Sequence, residues 1–442
     1  MIINLPIDVE NIIEKLEGQG FQAYAVGGCI RDSLLGKNPY DWDISTSAKP
    51  NETRECFKDY KVLDIGIKHG TITVIINDKP YEITTFRVDG EYLDNRRPES
   101  VSFVNSLNQD LARRDFTVNA MAYNTREGLK DYFHGCEDLS KGIIRCVGAP
   151  DNRFQEDALR IIRALRFASV LGFEIEEETK KGILRNRELL NCVAKERIMT
   201  ELSKLLLGKD ASKVLGQYAD VVSVLIPEII QMVGFNQNNP HHFLDVWQHS
   251  LRALKFSSDD LITRLAILFH DIAKPRCYTC DENGIGHFYG HAEHGAEIAR
   301  NILCGLKFDG QTVNCVCQLI KFHDAEISPQ EKFIKRWLNK IGEEQLKRLI
   351  DVKKSDIMAQ SEHMKEHKSE KLCQIEYIFN KILMEKQCYS LKDLAVNGND
   401  LKCIGIAEGR AMGEVLDYLL EQVIDGNLEN NKNALIESIR NN

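Results

Sequence analysis

The chain has 442 residues, a length that predicts two to four domains with sizeable hydrophobic cores. Its hydrophobic content of 43% and charged content of 28% are those of an ordinary globular protein. The net charge of −9 argues against a strongly basic protein that coats nucleic acid without specificity. Basic residues nevertheless concentrate between Arg96 and Arg197, which leaves room for a local track that contacts phosphates.

No apolar run approaches the length of a membrane span, and the first residues lack the basic segment and cleavage site of a secretory signal. We therefore expect a cytoplasmic protein that does not contact membranes. The 13 cysteines are odd in number and scattered through apolar segments, so we expect reduced thiols. Cys277 and Cys280 form one C-x-x-C pair, which without a second pair predicts an ordinary loop rather than a zinc site.

The first predicted elements surround a pair of glycines. Residues 7–18 have apolar side chains at helical spacing, and the run Ala-Tyr-Ala-Val at 23–26 has the composition of a strand. Gly27 and Gly28 end that strand, and residues 29–35 then predict a helix closed by Gly36. Glycines ahead of a helix let backbone N–H groups approach a phosphate without interference from a Cβ atom.

Two acidic residues accompany the next predicted strand, residues 42–46. Asp41 lies just before the strand and Asp43 lies within it, and side chains two residues apart on a strand point to the same face. Both carboxylates can therefore project toward one metal ion, with the basic Arg31 nearby. The alternative is a surface turn followed by a solvated acidic strand.

This stretch resembles a known signature. The pattern GG-x-[IV]RD-x-LLG followed by D-[FW]-D-[IV] is the head motif of the class II tRNA nucleotidyltransferases, or CCA-adding enzymes, and of bacterial poly(A) polymerases. The resemblance implies a polymerase-beta-like fold in which Asp41 and Asp43 hold Mg²⁺. It also implies that Gly28 and Arg31 contact the nucleotide triphosphate.

Three strand-like runs follow, at residues 60–63, 71–76 and 81–86. Glu82 alternates with the apolar face of the third run and can join Asp41 and Asp43 as a third carboxylate, either to complete the metal shell or to deprotonate an attacking hydroxyl. A solvated strand glutamate is the alternative from strand position alone. The resembled family carries an acidic residue here, which favours the functional interpretation.

Residues 88–109 are polar and turn-rich, with Arg96-Arg97-Pro98 at their centre, and predict a long loop. By resemblance, this segment is a flexible loop that helps the site change nucleotide during synthesis.

The segment that follows carries the family's RRDFT-[IVM]-NA motif. We expect Asp110 to cap a helix in which Arg113, Arg114 and Asp115 meet an incoming triphosphate. Asn119 can contact the sugar or a phosphate oxygen.

A long helix is predicted to begin at Phe154. Asp157, Arg160, Arg163 and Arg166 recur on it every three residues and form a stripe along one side. One interpretation is an ion-paired surface stripe. The other is a reader of base edges, because a carboxylate accepts from an exocyclic amine and a guanidinium donates to a ring nitrogen or carbonyl. The segment matches the family's EDxxR element, and Asp157 with Arg160 would then select CTP and ATP over UTP and GTP.

Beyond residue 170 strand signals vanish, and residues 174–186, 194–207 and 211–233 predict helices. A second group of candidate site residues follows, in which an apolar predicted helix ends in His270-Asp271. Adjacent imidazole and carboxylate groups are ligands for a divalent ion.

This group resembles the HD domain of metal-dependent phosphohydrolases. By that resemblance His249, His270, Asp271 and Asp356 are the core ligands for Mg²⁺ or a divalent transition metal. His291 and His323 would complete a two-metal site, and Asp324 is the alternative to Asp356. We expect His241, His242, His287 and His294 to be loop or surface histidines. A degenerate HD domain retained for RNA contact is the alternative.

We therefore predict an α+β protein with a polymerase-beta-like nucleotidyltransferase head at 1–148, a helical neck at 149–210, an HD domain at 211–372 and a helical RNA-binding tail at 373–442. The resemblance implies template-independent addition of C, C and A from CTP and ATP to tRNA, without binding to DNA. Poly(A) polymerase and partial CC- or A-adding enzymes share these motifs. The alternative from another class is an HD phosphohydrolase whose head senses nucleotides.

Overall fold

The structure is a computed structural model that describes residues 2–90, 101–239 and 243–440. The chain divides into two compact units, Met1–Pro227 and Glu228–Asn442. The first unit contains the predicted head and neck and also residues 211–227, which the sequence had assigned to the third domain. The division into four domains stays a prediction. Both the mixed α+β class and the helical character of the C-terminal half are confirmed.

The first unit combines one large sheet with flanking and following helices. Its strands are β1 Ala23–Val26, β2 Asp43–Thr46, β3 Lys61–Leu63, β4 Thr71–Ile76, β5 Lys79–Thr85, β6 Arg87–Asp89, β7 Val101–Phe103, β8 Met121–Asn124, β9 Gly128–Asp131, β10 Ile143–Ile144 and β11 Glu174–Ile175. Its helices are α1 Ile7–Glu17, α2 Gly28–Leu34, α3 Pro50–Cys56, α4 Leu107–Ala112, α5 Gly135–Lys141, α6 Pro150–Glu156, α7 Leu159–Leu171, α8 Glu177–Asn186, α9 Lys195–Leu206, α10 Ala211–Gln217 and α11 Ala219–Val222. Short 3₁₀ helices occupy Ile67–His69, Thr117–Asn119 and Arg187–Cys192.

The large sheet has seven strands in the order β3-β4-β5-β2-β1-β8-β9. Strand β1 pairs antiparallel with β2 and with β8, whereas β2 pairs parallel with β5. Every residue of β1 is buried, as expected for a central strand covered on both faces. One face packs on α4, where Leu107 and Leu111 meet Tyr24 and Phe86 of the sheet region. This packing places the end of β1 and the start of β2 at one edge of a rigid core.

Several local predictions differ from the structure. The described ends of the predicted loop 88–109 are the antiparallel strands β6 and β7 followed by α4, and Arg96-Arg97-Pro98 lies outside the described residues. Strands β8 and β9 were not predicted. The predicted helix 174–186 starts only at Glu177, because Glu174 and Ile175 pair parallel with β10. The neck helix predicted at 194–207 is confirmed as α9.

Over residues 228–239 and 243–440, the second unit consists of helices and one short hairpin, β12 Thr279–Cys280 with β13 Gly286–His287. Its helices are α12 Ile229–Met232, α13 Val246–Phe256, α14 Leu261–Phe269, α15 Lys274–Cys277, α16 His291–Gly305, α17 Gly310–Phe322, α18 Glu331–Ile341, α19 Glu343–Ala359, α20 Glu362–Met384, α21 Gly398–Cys403, α22 Arg410–Ile424 and α23 Lys432–Arg440, with a 3₁₀ helix at Leu391–Asp393.

Helix α14 is the most deeply buried of these helices, since every residue from Thr263 to Phe269 is inaccessible. The C-terminal helices α22 and α23 share a separate apolar cluster that includes Leu419 and Leu435. In the parts of the chain that the structure describes, none of the helices combines the length and apolar character needed to cross a bilayer.

Candidate functional site

The three predicted head carboxylates lie at one edge of the large sheet. Strand β2 begins at Asp43, which is paired with Val26 at the end of β1, and Asp41 lies just ahead of it. Because β2 and β5 run parallel with Ile44 beside Ile83, the preceding residues Asp43 and Glu82 are also neighbours. All three carboxylate residues are exposed to solvent. The register of two strand pairs thus brings them together.

The pKa values of two of these carboxyl groups are raised. Surrounding protein atoms reduce the hydration of the Asp43 carboxylate and thereby raise its pKa. The positive charge of Arg114 opposes this rise, and the negative charge of Asp41 adds to it. Reduced hydration, followed by the charges of Asp43 and Asp41, also raises the pKa of Glu82. A set of mutually repelling carboxylate oxygens is the donor chemistry that fits a hard divalent cation such as Mg²⁺.

The glycine turn lies directly beside these carboxylates. Gly27 has φ 82° and ψ −128°, a conformation that favours glycine, and its N–H donates to the Met121 carbonyl at 3.1 Å. A Cβ atom at Gly27 would lie 2.6 Å from a guanidinium nitrogen of Arg114. Gly28 is the first residue of α2, with open space in place of a side chain except for Arg31 at 3.7 Å. The turn therefore brings backbone and Arg114 unusually close.

A buried polar network connects α2 to the neck helix α7. Arg31 donates to the Asn119 side-chain oxygen at 2.7 Å, and Asn119 donates to Asp115 at 3.2 Å. Arg163 donates twice to the other Asp115 oxygen, at 2.9 and 2.7 Å. Burial alone would raise the pKa of Asp115, but the Arg163 guanidinium lowers it to about 2. Asp115 thus has both oxygens engaged and fixes its neighbours in place.

The prediction that Asp110 caps a helix is wrong. Asp110 lies inside α4, whose N-cap is Ser106, and it is completely buried. Its carboxylate accepts from Arg113 at 2.8 Å, from the Ser45 hydroxyl at 3.2 Å and from the backbone N–H of Arg87 at 3.3 Å. The helix ends at Ala112, so the three residues of the RRD motif follow it and do not belong to it.

The long helix predicted from Phe154 is in fact two helices. Helix α6 ends at Glu156, and Asp157 has extended dihedral angles of −139° and 102° before α7 begins at Leu159. The Asp157 carboxylate accepts from Arg197 of α9 at 2.9 Å and from the N–H of Leu159 at 3.1 Å. The break turns Asp157 away from the helical stripe and toward α9.

The arginines of α7 do not form a surface stripe. Arg160 is only 8% exposed and donates to Glu156 at 2.6 Å and to the Arg113 carbonyl at 2.9 Å. Arg166 is paired with the buried Glu201 of α9 at 3.1 Å and lies over the ring of Phe167 at 3.9 Å. These side chains are therefore ion-paired within the fold and are buried or half-buried, and the choice between an ion-paired stripe and a reader of base edges stays a prediction.

Four residues near these groups had no assigned role in the sequence: Arg197, Glu201, Phe167 and Lys274. Phe167 has three guanidinium groups within 5.4 Å of its ring centre, namely those of Arg31, Arg163 and Arg166. Arg197 and Glu201 are one helical turn apart on α9. This i, i+4 spacing of opposite charges in a predicted neck helix was the one feature of the sequence that could have indicated ion pairs with α7.

The second unit brings the six predicted histidine and aspartate ligands together. The Nε2 atom of His249 lies 2.8 Å from Asp356 and 3.7 Å from Asp271. One group of candidate ligands is His249, His270 and Asp271, and the other is Asp271, His291 and His323. Within each group the ligand atoms lie within 4.8 Å of one another. Asp271 belongs to both groups, which is the arrangement of a carboxylate between two metal ions.

Hydrogen bonds orient three of these histidines. The Nδ1 atoms of His270, His291 and His323 lie 2.7, 2.7 and 2.6 Å from the backbone carbonyls of Ile267, Phe288 and Ile320. Each Nδ1–H therefore donates to its carbonyl, and each Nε2 faces the cluster.

Buried polar atoms point into the same space. Both carboxylate oxygens of Asp271 and the Nε2 atom of His270 are inaccessible and lack a hydrogen bond of good geometry among the described residues. Burial opposes ionisation of Asp271, yet the neighbouring His270 and Lys274 hold its pKa well below the ordinary value. Such atoms fit ligands for a divalent metal.

The remaining histidine predictions have mixed outcomes. Asp356, and not the exposed Asp324, contacts His249. His294 is exposed, whereas His287 is half-buried and pairs with Asp281 at 3.0 Å. His241 and His242 lie outside the described residues. Lys274 is buried with its ammonium 2.8 Å from Asp271.

Three family models match separate parts of the chain. They are the poly A polymerase head domain over residues 23–145, the probable RNA and SrmB-binding site of polymerase A over 172–229, and the putative tRNA nucleotidyltransferase domain 2 over 281–439.

Curated relatives and a solved structure extend this result. The CCA-adding enzyme of Lactobacillus delbrueckii subsp. bulgaricus is 51% identical over 200 residues, so this alignment spans 45% of the chain and only half the length of that relative. The CCA-adding enzyme of Bacillus velezensis is 34% identical over 434 residues and 96% of both chains. The crystal structure of the Bacillus stearothermophilus CCA-adding enzyme in complex with CTP has a TM-score of 0.67 at 29% identity, and the match covers 99% of each chain.

These matches agree with the geometry of the head, where the carboxylates, the glycine turn and the RRD motif converge on one edge of the sheet. The match to the Bacillus velezensis enzyme over nearly the whole length is decisive for the family. This chain belongs to the CCA-adding enzymes, a family of nucleotidyltransferases.

Proposed function

We propose that this chain adds C, C and A from CTP and ATP to the 3′ end of tRNA, without a nucleic-acid template and with release of pyrophosphate. The observation that carries the proposal is the position of Asp43 between Glu82 of β5 and the Gly27 turn, with Arg114 beside the turn and opposing the raised pKa of Asp43. Family membership and the near-complete match to a CCA-adding enzyme support the same reaction. A cytoplasmic location, where tRNA is found, is part of the proposal.

In this reaction Asp41 and Asp43 would hold Mg²⁺, with Glu82 beside them. The metal, when bound, supplies Lewis-acid stabilisation of the α-phosphate and favours ionisation of the attacking hydroxyl. Arg114 is aimed at the glycine turn and can pair with triphosphate oxygens. The network through Asn119 and Asp115 holds the Arg31 guanidinium at the start of α2. These contacts fix the nucleotide before transfer and carry no information about its base.

Base choice would come from Asp157 and Arg160. C and A each offer an exocyclic amine next to an acceptor, and a carboxylate with a guanidinium complements that edge. Asp157 stands at the break between α6 and α7, and α9 orients it through Arg197. Arg160 is held by Glu156 and by the Arg113 carbonyl, which connects it to the RRD motif.

The test uses tRNA transcripts that end before C, CC or CCA, each incubated with one labelled nucleotide at a time. The proposal expects CTP incorporation twice and ATP once. Repeated ATP addition would indicate a poly(A) polymerase, and addition that stops after CC or requires preformed CC would indicate a partial enzyme. Asp41→Asn and Asp43→Asn should both abolish incorporation while leaving the thermal unfolding transition in place. Retention of more than a few per cent of activity by either variant would remove that residue from the site.

We further propose that the second unit is a metal-dependent phosphohydrolase. The specific observation is that two buried oxygens of Asp271, one of them also paired with Lys274, face two groups of histidines whose Nε2 atoms point inward. Mg²⁺ or a divalent transition metal would be held by the six ligands, and when bound it generates a nucleophilic hydroxide.

Paired variants test this second activity. His270→Ala with Asp271→Ala should eliminate metal binding and hydrolysis of phosphomonoesters or 2′,3′-cyclic phosphates while leaving nucleotide addition largely intact. Metal content by mass spectrometry gives a readout that does not depend on the substrate chosen. Wild-type protein that retains no divalent metal and hydrolyses none of these compounds would contradict the proposal.

A further inference from the structure

The proposed metal centre of the second unit opens into a cavity of about 730 Å³. Asp271, His291 and His323 form part of its lining. The rest of the lining contains aromatic and cationic side chains that the metal proposal does not use, among them Trp337 and Lys340. A cavity of this size exceeds what a single phosphate group would fill. The chemistry of the additional lining therefore bears on which substrate the cavity accepts.

Three residues in mutual contact line this cavity: Phe322 at the end of α17, and Trp337 and Lys340 of α18. We call them the α18 wall, after the helix that carries two of them. The rings of Phe322 and Trp337 meet edge to face, with centroids 5.2 Å apart at 81°. The Lys340 ammonium lies 4.4 Å from the first ring centroid and 5.0 Å from the second. Because Phe322 directly precedes His323, the wall begins one residue from a proposed metal ligand.

The wall has the chemistry of a nucleotide subsite. Indole rings stack on nucleobases of any identity, and such stacking is worth about 1–3 kcal/mol per base. Trp337 is half-buried, so its ring is held by the fold while part of it faces solvent. Lys340 is exposed, and a second ammonium, that of Lys321, lies on the same lining. Aromatic rings and ammonium groups together suit a ligand that combines a planar base with a phosphate.

We propose that the α18 wall binds the base of a nucleotide whose phosphate ester lies at the histidine cluster, so that the site prefers nucleotide esters to small phosphate esters. This inference rests on the proposed metal-dependent phosphohydrolase. Trp337 is the specificity-determining residue, because its ring would stack on the base. Lys340 contacts that ring and adds a positive charge near the phosphate of the nucleotide. Neither side chain belongs to the proposed ligand set.

The experiment compares two ligands on the full-length, metal-loaded protein. UMP carries a base and a phosphate but lacks the triphosphate and the base that the head selects, whereas β-glycerophosphate carries a phosphate alone. Calorimetric titration measures binding of each, and hydrolysis gives a second readout. An Asp43→Asn background removes a proposed metal ligand of the head, and binding that Asp271→Asn abolishes is assigned to the cavity.

Trp337→Ala should weaken UMP binding by about 5- to 150-fold and leave β-glycerophosphate binding unchanged. Phe333→Ala is the matched control, since it deletes an aromatic ring on the same helix that is not among the cavity residues. Lys340→Met alters an exposed side chain and should also weaken UMP selectively, which keeps the test valid if Trp337→Ala is unstable.

Two results would overturn the inference in different ways. If Trp337→Ala and Lys340→Met bind metal normally but lose affinity for UMP and β-glycerophosphate equally, or lose affinity for neither, the α18 wall alone would be refuted. Absence of bound metal and of binding to either ligand in the wild-type protein would refute the phosphohydrolase and the wall together.

Discussion

Replacing Asp157 by Asn separates base recognition from helix stability. The Asp157 carboxylate has two structural contacts, the hydrogen bond from the Leu159 N–H at 3.1 Å and the ion pair with Arg197 at 2.9 Å. Alanine would remove both, and loss of the hydrogen bond alone would cost about 0.5–1.5 kcal/mol. Asparagine retains an oxygen for the hydrogen bond and a similar volume but removes the charge. It also places an amide where a carboxylate would meet the amine of C or A.

The two interpretations of Asp157 predict different magnitudes. The ion pair with Arg197 is partly exposed, with 18% and 30% of the two side chains accessible, so its loss should lower the free energy of unfolding by less than about 1 kcal/mol. A lost base-edge contact should reduce discrimination by about 1–3 kcal/mol, which is about 5- to 150-fold in the ratio of CTP to UTP incorporation. Selectivity should therefore change far more than stability.

Single-turnover incorporation of all four nucleotides measures this ratio on tRNA transcripts that lack the second C or only the terminal A. Asp151→Asn is the matched control, because Asp151 lies on α6, the helix that ends just before Asp157, and pairs at 2.7 Å with Arg185 instead of with Arg197. Asp157→Asn should admit UTP or GTP, and the control should not. Unchanged preference for CTP and ATP in both Asp157→Asn and Arg160→Ala would refute the protein template.

Three further outcomes concern the head. Asp115→Asn should lower the free energy of unfolding at pH 7 by about 2 kcal/mol, because the folded-state pKa is about 2. Because the pKa of Asp115 is lower in the folded state, its ionised form stabilises the fold above the ordinary pKa of about 4. The difference in unfolding free energy between wild type and Asp115→Asn should therefore vanish as the pH falls from about 4 to about 2. An equal difference at pH 7 and pH 2.5 in urea unfolding would contradict this expectation. Gly27→Ala should slow incorporation of CTP and ATP about equally, since the methyl group would displace Arg114; a change in their ratio would argue against a phosphate role. Asp110→Asn should lower the free energy of unfolding by about 1–3 kcal/mol, because an amide cannot accept from the Arg113 guanidinium, the Ser45 hydroxyl and the Arg87 N–H as the buried carboxylate does; a midpoint of urea unfolding within error of wild type would refute this role.

Local patterns predicted the elements whose composition and flanking breaker residues are contained in one short segment. The strand at 23–26, the helix behind Gly28 and the ligand-bearing helix ending before His270 all have composition and breakers that agree with the structure. The carboxylate pair Asp41 and Asp43 was also predictable from one short segment, because the two residues are separated by a single position at the start of a predicted strand.

Long-range contacts account for the failures. Nothing at Asp157 resembles a helix breaker, yet the helix ends there, and the carboxylate pairs with Arg197, which lies 40 residues later in the chain. Asp110 has the composition of a cap, but contacts from Ser45 and Arg87 make it a buried centre instead. Side-chain spacing within one segment contains no information about such partners.

The hydrogen bonds of the three cluster histidines determine where a proton can enter. With Nδ1–H committed to a backbone carbonyl in His270, His291 and His323, the remaining acceptor on each ring is Nε2. In the proposed metal centre, a proton and a metal ion would then compete for the same nitrogen atom on each of these rings. Metal binding there would therefore depend on pH through the ring nitrogens themselves.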